Sequence, residues 1–279
     1  MNLVIDIGNT RGKLAVFEHG RIRHVEALSP QTLHTVREQF AIDRAAYCVT
    51  GTPNGGLPDW ARNELPANIL RVTGETPAPL HNGYSTPQTL GPDRWATAVG
   101  AWEQQPGKPL LIIDAGTCIT FDVVTADGIF LGGNISPGLD MRLQAMHEHT
   151  ARLPLVSRLG GVQEIANDTE NALRAGAYWG IAGEMKGYYE RLSDKYPGLQ
   201  VILTGGGIKD MGQAILRKGH EAEYTTASDS PDCAEVLPSE GSGLFGFPFT
   251  HIPHLVLSGL DAILNHREGT TRDRRAAED

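Results

Sequence analysis

Cysteine is scarce and scattered. The chain has three, Cys48, Cys118 and Cys233, too few and too far apart for a disulfide framework or a zinc site, and they read as reduced, mostly buried thiols. No apolar run approaches the ~20 residues that a membrane span needs. Asp6 interrupts the first apolar stretch and no signal-peptide cleavage pattern follows, so the expected location is the cytoplasm with no membrane partner. A dense basic patch is missing and the formal net charge is -9, which argues against nucleic acid. Three catalytic signatures are also absent. Gly12-Lys13 is followed by Leu14 and lies in an expected strand, so there is no P-loop; Gly-x-Ser-x-Gly does not occur; and His147-Glu148-His149 lacks the i,i+4 spacing of a zinc-protease helix. His251 and His254 stand beside Pro253 and read as structural or surface residues. What remains is a chain of 279 residues, 40% apolar and 20% charged. That is an ordinary globular composition with room for one large or two modest domains.

What is present is a turn that occurs twice. Leu3-Val4-Ile5 runs into Asp6-Ile7-Gly8-Asn9-Thr10, and Leu110-Leu111-Ile112-Ile113 runs into Asp114-Ala115-Gly116-Thr117. An apolar run ending in Asp-x-Gly and resuming as a second strand reads as a β-hairpin with a polar tip. Glycine lets the tip turn tightly and leaves main-chain N–H groups open to an anion. The acid at the strand end can hold a cation, directly or through water. Two such tips facing each other make a phosphate cradle floored by carboxylates. Downstream, Cys48-Val49-Thr50-Gly51-Thr52 and Ile202-Leu203-Thr204-Gly205-Gly206-Gly207 repeat a second signal, a buried strand ending in a glycine turn. Matched order in both halves predicts a duplicated α/β fold with its ligand between the copies. The glycine run after Thr204 suits either close approach to a nucleoside or a flexible turn.

The spacing predicts strands at 2–7, 12–18, 20–27 and 45–50, and a helix near 30–40. Pro, Gly and Asn accumulate at 53–58 and again at 73–92, the second a long loop of the kind that usually carries function. A helix opens at Pro92-Asp93. A three-strand meander spans 110–135 with Gly128 and Gly132-Gly133 at its turns, and Pro137 sits just inside the next helix. Residues 169–195 form the longest helical pattern. Gly176, Gly180, Gly183 and Gly187 share one of its faces, which predicts close packing against another backbone, in a partner subunit or within the chain. A strand at 200–204, a helix at 207–217, a loop or short strand carrying Phe245, Phe247 and Phe249, and a helix at 254–266 follow. The polar tail 267–279 is expected to be frayed.

Gly91-Pro92-Asp93-Arg94 is the second informative site. An acid at a helix start is favoured by the helix dipole alone. In phosphoryl transfer to an alcohol, an Asp there orients the hydroxyl and accepts its proton, and a neighbouring Arg offers a planar fork to a carboxylate or phosphate.

Together these segments resemble the type III pantothenate kinases, members of the actin-like, sugar-kinase-like and Hsp70-like superfamily. The resemblance rests on the two tips, Gly91-Pro92-Asp93-Arg94, Thr120-Phe121-Asp122-Val123-Val124, Leu131-Gly132-Gly133-Asn134-Ile135-Ser136-Pro137-Gly138-Leu139, Leu153-Pro154, Thr169 and Thr204-Gly205-Gly206, over roughly residues 1–265. It implies duplicated actin-like (ribonuclease H-like) domains, at 1–105 and 106–266, with the active site in the cleft between them. It implies ATP-dependent phosphorylation of pantothenate to 4'-phosphopantothenate, the entry to coenzyme A, with no covalent enzyme intermediate. By motif, Asp6, Ile7, Gly8, Asn9, Thr10, Arg11, Gly12 and Lys13, with Thr117, line ATP. Asp93 is the general base, and Tyr84, Gly91, Pro92, Asp93, Arg94 and Thr169 contact pantothenate. Asp6 serves magnesium, directly or through water, and Asp114 holds a monovalent cation, K+ or NH4+. A homodimer is implied as well. Lys13 stands where many members carry an apolar residue, and Asp168 where an Asn is usual. A changed acceptor or a regulatory role without catalysis are the competing functions; the intact Asp6, Asp93 and Asp114 weigh against the latter.

Overall fold

A computed structural model of the chain describes residues 1–51, 56–66, 68–208 and 245–278, the stretch 268–278 by backbone alone. The first hairpin forms as expected. β1 (Asn2–Ile7) and β2 (Gly12–Glu18) pair antiparallel with Ile7 opposite Gly12, and β3 (Arg21–Ala27) completes a meander. α1 (Pro30–Gln39) starts at a Ser29–Thr32 capping box and returns the chain to β4 (Arg44–Val49), parallel to β1. α2 (Asp59–Glu64) and β5 (Leu70–Arg71) follow. The second half repeats this order. β7 (Leu110–Ala115), β8 (Cys118–Val124) and β9 (Ile129–Pro137) form a meander, α4 (Leu139–Glu148) and α5 (Thr169–Lys195) cross back, and β10 (Gln200–Thr204) pairs parallel to β7.

Among the described residues the strands lie in two sheets, ordered β3-β2-β1-β4-β5 and β11-β10-β7-β8-β9-β6. Read in the opposite direction, β9-β8-β7-β10-β11 of the second sheet corresponds strand for strand to β3-β2-β1-β4-β5 of the first. β6 (His81–Asn82) adds to the second sheet from the long 73–92 segment, and β11 is Thr250–His251.

Side-chain alternation along each strand sorts the core. Leu3, Ile5 and Ile7 face outward against Leu33 and Val36 of α1, while Val4 faces inward. Leu111, Ile113 and Ala115 face outward beneath α4 and α5, while Leu110 and Ile112 face inward. The inward faces share one core with α3 (Pro92–Gln104) and α6 (Leu255–Glu278), which fill the space between the sheets. α6 is also tied to the first sheet: Asn2 donates to Asp261 at 2.7 Å and Arg44 to Asn265 at 2.7 Å. Asp6 and Asp114 continue the inward series of Val4 and Ile112 at the strand ends. The fold therefore aims both acids into the gap.

Four expectations change. Gly132 and Gly133 lie inside β9 rather than at a turn; a Cβ on Gly133 would collide with the Phe121 carbonyl and one on Gly132, at φ +89°, would come within 2.6 Å of the Tyr84 ring. Pro137 ends β9 opposite Cys118, and α4 starts only at Leu139, because Gly138 must first cross the second tip, its N–H bonding the Thr117 carbonyl at 3.0 Å. The segment 73–92 is not structureless: it holds β6 and a 3-10 turn at Pro87–Thr89. The last helix runs to Glu278 instead of ending at 266, the tail being rich in the helix formers Arg, Ala and Glu. The helix expected at 207–217 falls, beyond its first turn, outside the described residues, as does Cys233.

Candidate active site

The two hairpin tips meet. Thr10 Oγ1 and Thr117 Oγ1 lie 2.9 Å apart, joining Gly8–Arg11 to Gly116–Cys118. Each tip is braced by the glycine that follows the neighbouring parallel strand. A Cβ on Gly51, after β4, would collide with the Gly8 carbonyl, and one on Gly205, after β10, would collide with the Asp114 carboxylate. Gly205 also holds φ +90°, a conformation that glycine adopts without penalty. Gly207 packs on Ala115 while Gly206 faces open space. The repeated Thr-Gly signal thus has a physical cause: the chain leaving each parallel strand crosses a hairpin tip at backbone distance.

Below the tips stand three carboxylates. Asp6 accepts a hydrogen bond from the Cys48 thiol at 3.3 Å and sits opposite Lys13 in the β1–β2 register. Asp114 pairs with Thr120 in β8 and Thr204 in β10. Asp93 lies in the first turn of α3, its carboxylate accepting the Arg94 N–H at 2.8 Å. Burial raises the pKa of Asp6 to about 6, and the negative charge of Asp93 adds to the effect. Burial, then Asp93 and Asp6, raise Asp114 to about 7, with Lys13 opposing. Burial raises Asp93 too, against the helix-start N–H that steadies its charge. Three acids that repel one another in a half-buried cleft form a donor set for hard cations. No group of three among the described residues is close enough to chelate a metal unaided; a metal here needs phosphate or water oxygens as well.

Because both pKa values lie above the unfolded 3.8, the folded chain binds more protons between about pH 4 and pH 7, and stability rises as pH falls through that window. The ligand-free protein should therefore melt at a higher temperature near about pH 5.5 than near about pH 7.5. Asp114→Asn should flatten the difference. A wild-type melting temperature that instead climbs with pH over this range would contradict the burial of these acids.

Arg94 is not a free fork. Its Nε lies 3.2 and 3.1 Å from the two Asp122 oxygens and its Nη2 bonds Oδ1, with both side chains almost fully buried. The Tyr84 ring stacks over the guanidinium, centroid 5.7 Å from Cζ, and rests on Gly132 and Phe130. Tyr84, Gly91, Pro92, Asp93 and Arg94 are thereby brought together. Thr169 is exposed at the start of α5, where Asp168 caps the helix through the Asn171 N–H at 3.0 Å, and it joins none of these contacts. Motif reading gave no role to Asp122, Cys48 and Gly132. Asp122 had a visible signal, an acid at an inward position of the apolar strand Phe121–Val124.

Two meanders, each followed by a parallel strand, with tips converging over shared acids, define a duplicated actin-like fold. A 2-hydroxyisocaproyl-CoA dehydratase activator from Clostridium difficile with bound ADPNP shares the fold at TM-score 0.51 and 13% identity, over 97% of each chain. A Sinorhizobium meliloti protein provisionally described as a 2-dehydro-3-deoxygalactonokinase does so at TM-score 0.55 and 11% identity, over 94% of this chain and 98% of its own. Residues 2–191 match the family model for type III pantothenate kinase. The type III pantothenate kinase of Bacteroides fragilis is 44% identical over 209 residues, 74% of this chain and 86% of its own. The chain belongs to the type III pantothenate kinase family, ATP-dependent enzymes that phosphorylate pantothenate in coenzyme A biosynthesis.

Proposed function

We propose that the cleft between the tips is where this chain transfers phosphate, with Asp93 as general base. The observation carrying this is the convergence of Asp6, Asp93 and Asp114 beneath the Thr10–Thr117 contact. Residues 6–13 and Thr117 receive the ATP phosphates through tip N–H groups, hydroxyls and the Lys13 ammonium. Tyr84 and Gly91–Arg94 receive pantothenate, and Thr169, which lies apart from them within the chain, is assigned to it on the family resemblance alone. Its hydroxyl oxygen bonds the γ-phosphorus, the bond to the β–γ bridging oxygen breaks, ADP leaves, and Asp93 takes the proton; no enzyme nucleophile intervenes. Asp6 would hold magnesium, directly or through water, and the metal would supply charge neutralisation on the phosphates. Asp114 serves a monovalent cation, K+ or NH4+. The raised Asp114 pKa supports this, since a cation beside the acid offsets the cost of its buried charge. The proposal includes a division into units at 1–105 and 106–266, and a cytoplasmic location. Among the described residues no helix is long and apolar enough to cross a membrane.

The test is a coupled assay with ATP, magnesium and pantothenate, with and without potassium. Turnover of pantothenate is expected, with stimulation by the cation. Asp114→Ala should raise KM for ATP and abolish that stimulation. Stimulation that survives the substitution unchanged would put the ion elsewhere.

The proposed assembly is a homodimer across α5. Gly176, Gly180 and Gly183 are exposed on one face, and a Cβ on Gly176 or Gly183 would meet only open space. Trp179 on the same helix and Ile135 and Met141 on adjoining elements are exposed apolar residues; Ser136 and Arg142 both bond Glu184, which binds those elements together. Gly183→Leu should leave the isolated chain folded and shift light-scattering mass toward monomer, an overpacked contact costing about 1–3 kcal/mol. Unchanged mass at all concentrations would place the interface on another face.

A further inference from the structure

Arg94 spends its donors unevenly, and the pattern points to a task for Asp122. A guanidinium has five N–H donors and two flat edges that match a carboxylate, one side-on through Nε and Nη2 and one end-on through Nη1 and Nη2. Asp122 occupies the side-on edge, with Nε within 3.2 Å of both oxygens and Nη2 on Oδ1. The Tyr84 ring covers one flat face of the group, and Gly132, where a side chain would displace that ring, keeps it seated. The head group is thus oriented before any ligand arrives. Burial disfavours its charge, but the hydrogen bonds that Arg94 donates to Asp122, the Asp122 charge and a hydrogen bond with Tyr84 outweigh the penalty and raise the Arg94 pKa. Asp122 takes Nε and one Nη2 hydrogen and Tyr84 takes one further hydrogen bond, so two of the five donors remain for a second carboxylate. Asp122 lies on β8 and Arg94 on α3, so the pair also fixes the Asp93 helix start against the second sheet.

We propose that Asp122 is a positioning residue for substrate recognition, gripping Arg94 side-on so that its end-on edge is presented to the carboxylate of pantothenate. The proposal rests on the assignment of Arg94 to pantothenate made above. It states more: the acid selectivity of the site depends on a buried carboxylate that never touches substrate. Loss of Asp122 leaves Arg94 charged but free to rotate, and the ordered fork is lost.

The experiment compares pantothenate with its uncharged primary amide as acceptor. Wild-type enzyme is expected to favour the acid in kcat/KM. Asp122→Asn should raise KM for pantothenate by about tenfold to a hundredfold, the usual weight of a hydrogen bond to a charged group, with much smaller changes in kcat and in KM for ATP. KM for the amide should stay within about twofold, because the amide offers no charge for the oriented fork to meet. An equal loss on acid and amide would make Asp122 a structural prop and overturn the proposal, as would an unchanged KM for pantothenate. If wild-type enzyme itself fails to distinguish acid from amide, Arg94 is not the carboxylate's partner, and the underlying assignment falls instead. Should the asparagine variant not fold, Asp122→Glu keeps the charge and shifts the fork by a methylene. It should show the same acid-selective rise, and its absence overturns the proposal.

Discussion

Asp93→Asn is expected to lower kcat by about 10²–10⁴, the usual worth of a positioned general base, while leaving nucleotide affinity close to wild type. The amide can still accept the Arg94 N–H that anchors Asp93 at 2.8 Å, so the start of α3 keeps its geometry. It can still hydrogen-bond the acceptor hydroxyl but cannot take the proton. Removing this charge also relieves Asp6 and Asp114, whose pKa values Asp93 helps to raise. Both acids should then ionise at lower pH, and binding of magnesium nucleotide should hold or tighten in the variant. The measurements are single-turnover rates and titration with a non-hydrolysable ATP analogue. The wild-type acid limb of kcat/KM should lie above the ordinary carboxylate range, because loss of activity follows protonation of an acid whose pKa is raised. Near-normal turnover in the asparagine variant would remove Asp93 from the mechanism.

The largest expected effect on stability comes from Gly259→Val. α3 and α6 cross at backbone distance: a Cβ on Gly259 would collide with the Ala96 carbonyl and lie 3.0 Å from the Gly100 nitrogen, and one on Gly100 would lie 2.9 Å from the Gly259 nitrogen. Neither neighbour is a flexible side chain, so the helices themselves must separate. They carry the central core, including Trp95, Val99, Leu255 and Ile263, and pulling them apart disturbs both sheets at once. Overpacking costs about 1–3 kcal/mol in ordinary cores and more where backbone meets backbone, so a loss of at least ~3 kcal/mol is expected in urea denaturation. The same displacement would move Asp93, one turn before Ala96, and lower activity in whatever fraction stays folded. A Gly259→Val protein that melts within a degree of wild type would show that this crossing is looser than it looks.

Gly259 also marks a backbone contact within the chain that sequence reading did not find. The spacing of Gly176, Gly180, Gly183 and Gly187 predicted a backbone contact in a partner subunit or within the chain; within the chain Gly176 and Gly183 face open space and Gly180 and Gly187 meet only arginine side chains. The closest helix crossing is made by single glycines, Gly100 and Gly259, in helices far apart in sequence, which leave no periodic trace. The hairpins were legible for the opposite reason. A continuous apolar run ending in Asp-x-Gly carries its strand, its turn and its acid within a dozen residues, all decided by local backbone preference. The tips, the three acids, the opening of α3 at Pro92 and the long helix from Thr169 followed from such local signals, and the family resemblance followed from their order.

Tertiary structure alone decided how these parts act on one another. Nothing near residue 94 in the chain shows that Arg94 is gripped by an aspartate on β8, and nothing near Gly51 shows that it braces the turn at Gly8. The elevated pKa values of Asp6 and Asp114 are likewise absent from the sequence, since burial and mutual repulsion exist only once two sheets bring three separate acids into one cleft. Local propensity acts over a few bonds, whereas desolvation and charge coupling act through space. The sequence by itself therefore determined the strands, the turns and the reactive groups, and the packing of one half against the other determined their charge, their orientation and their reach.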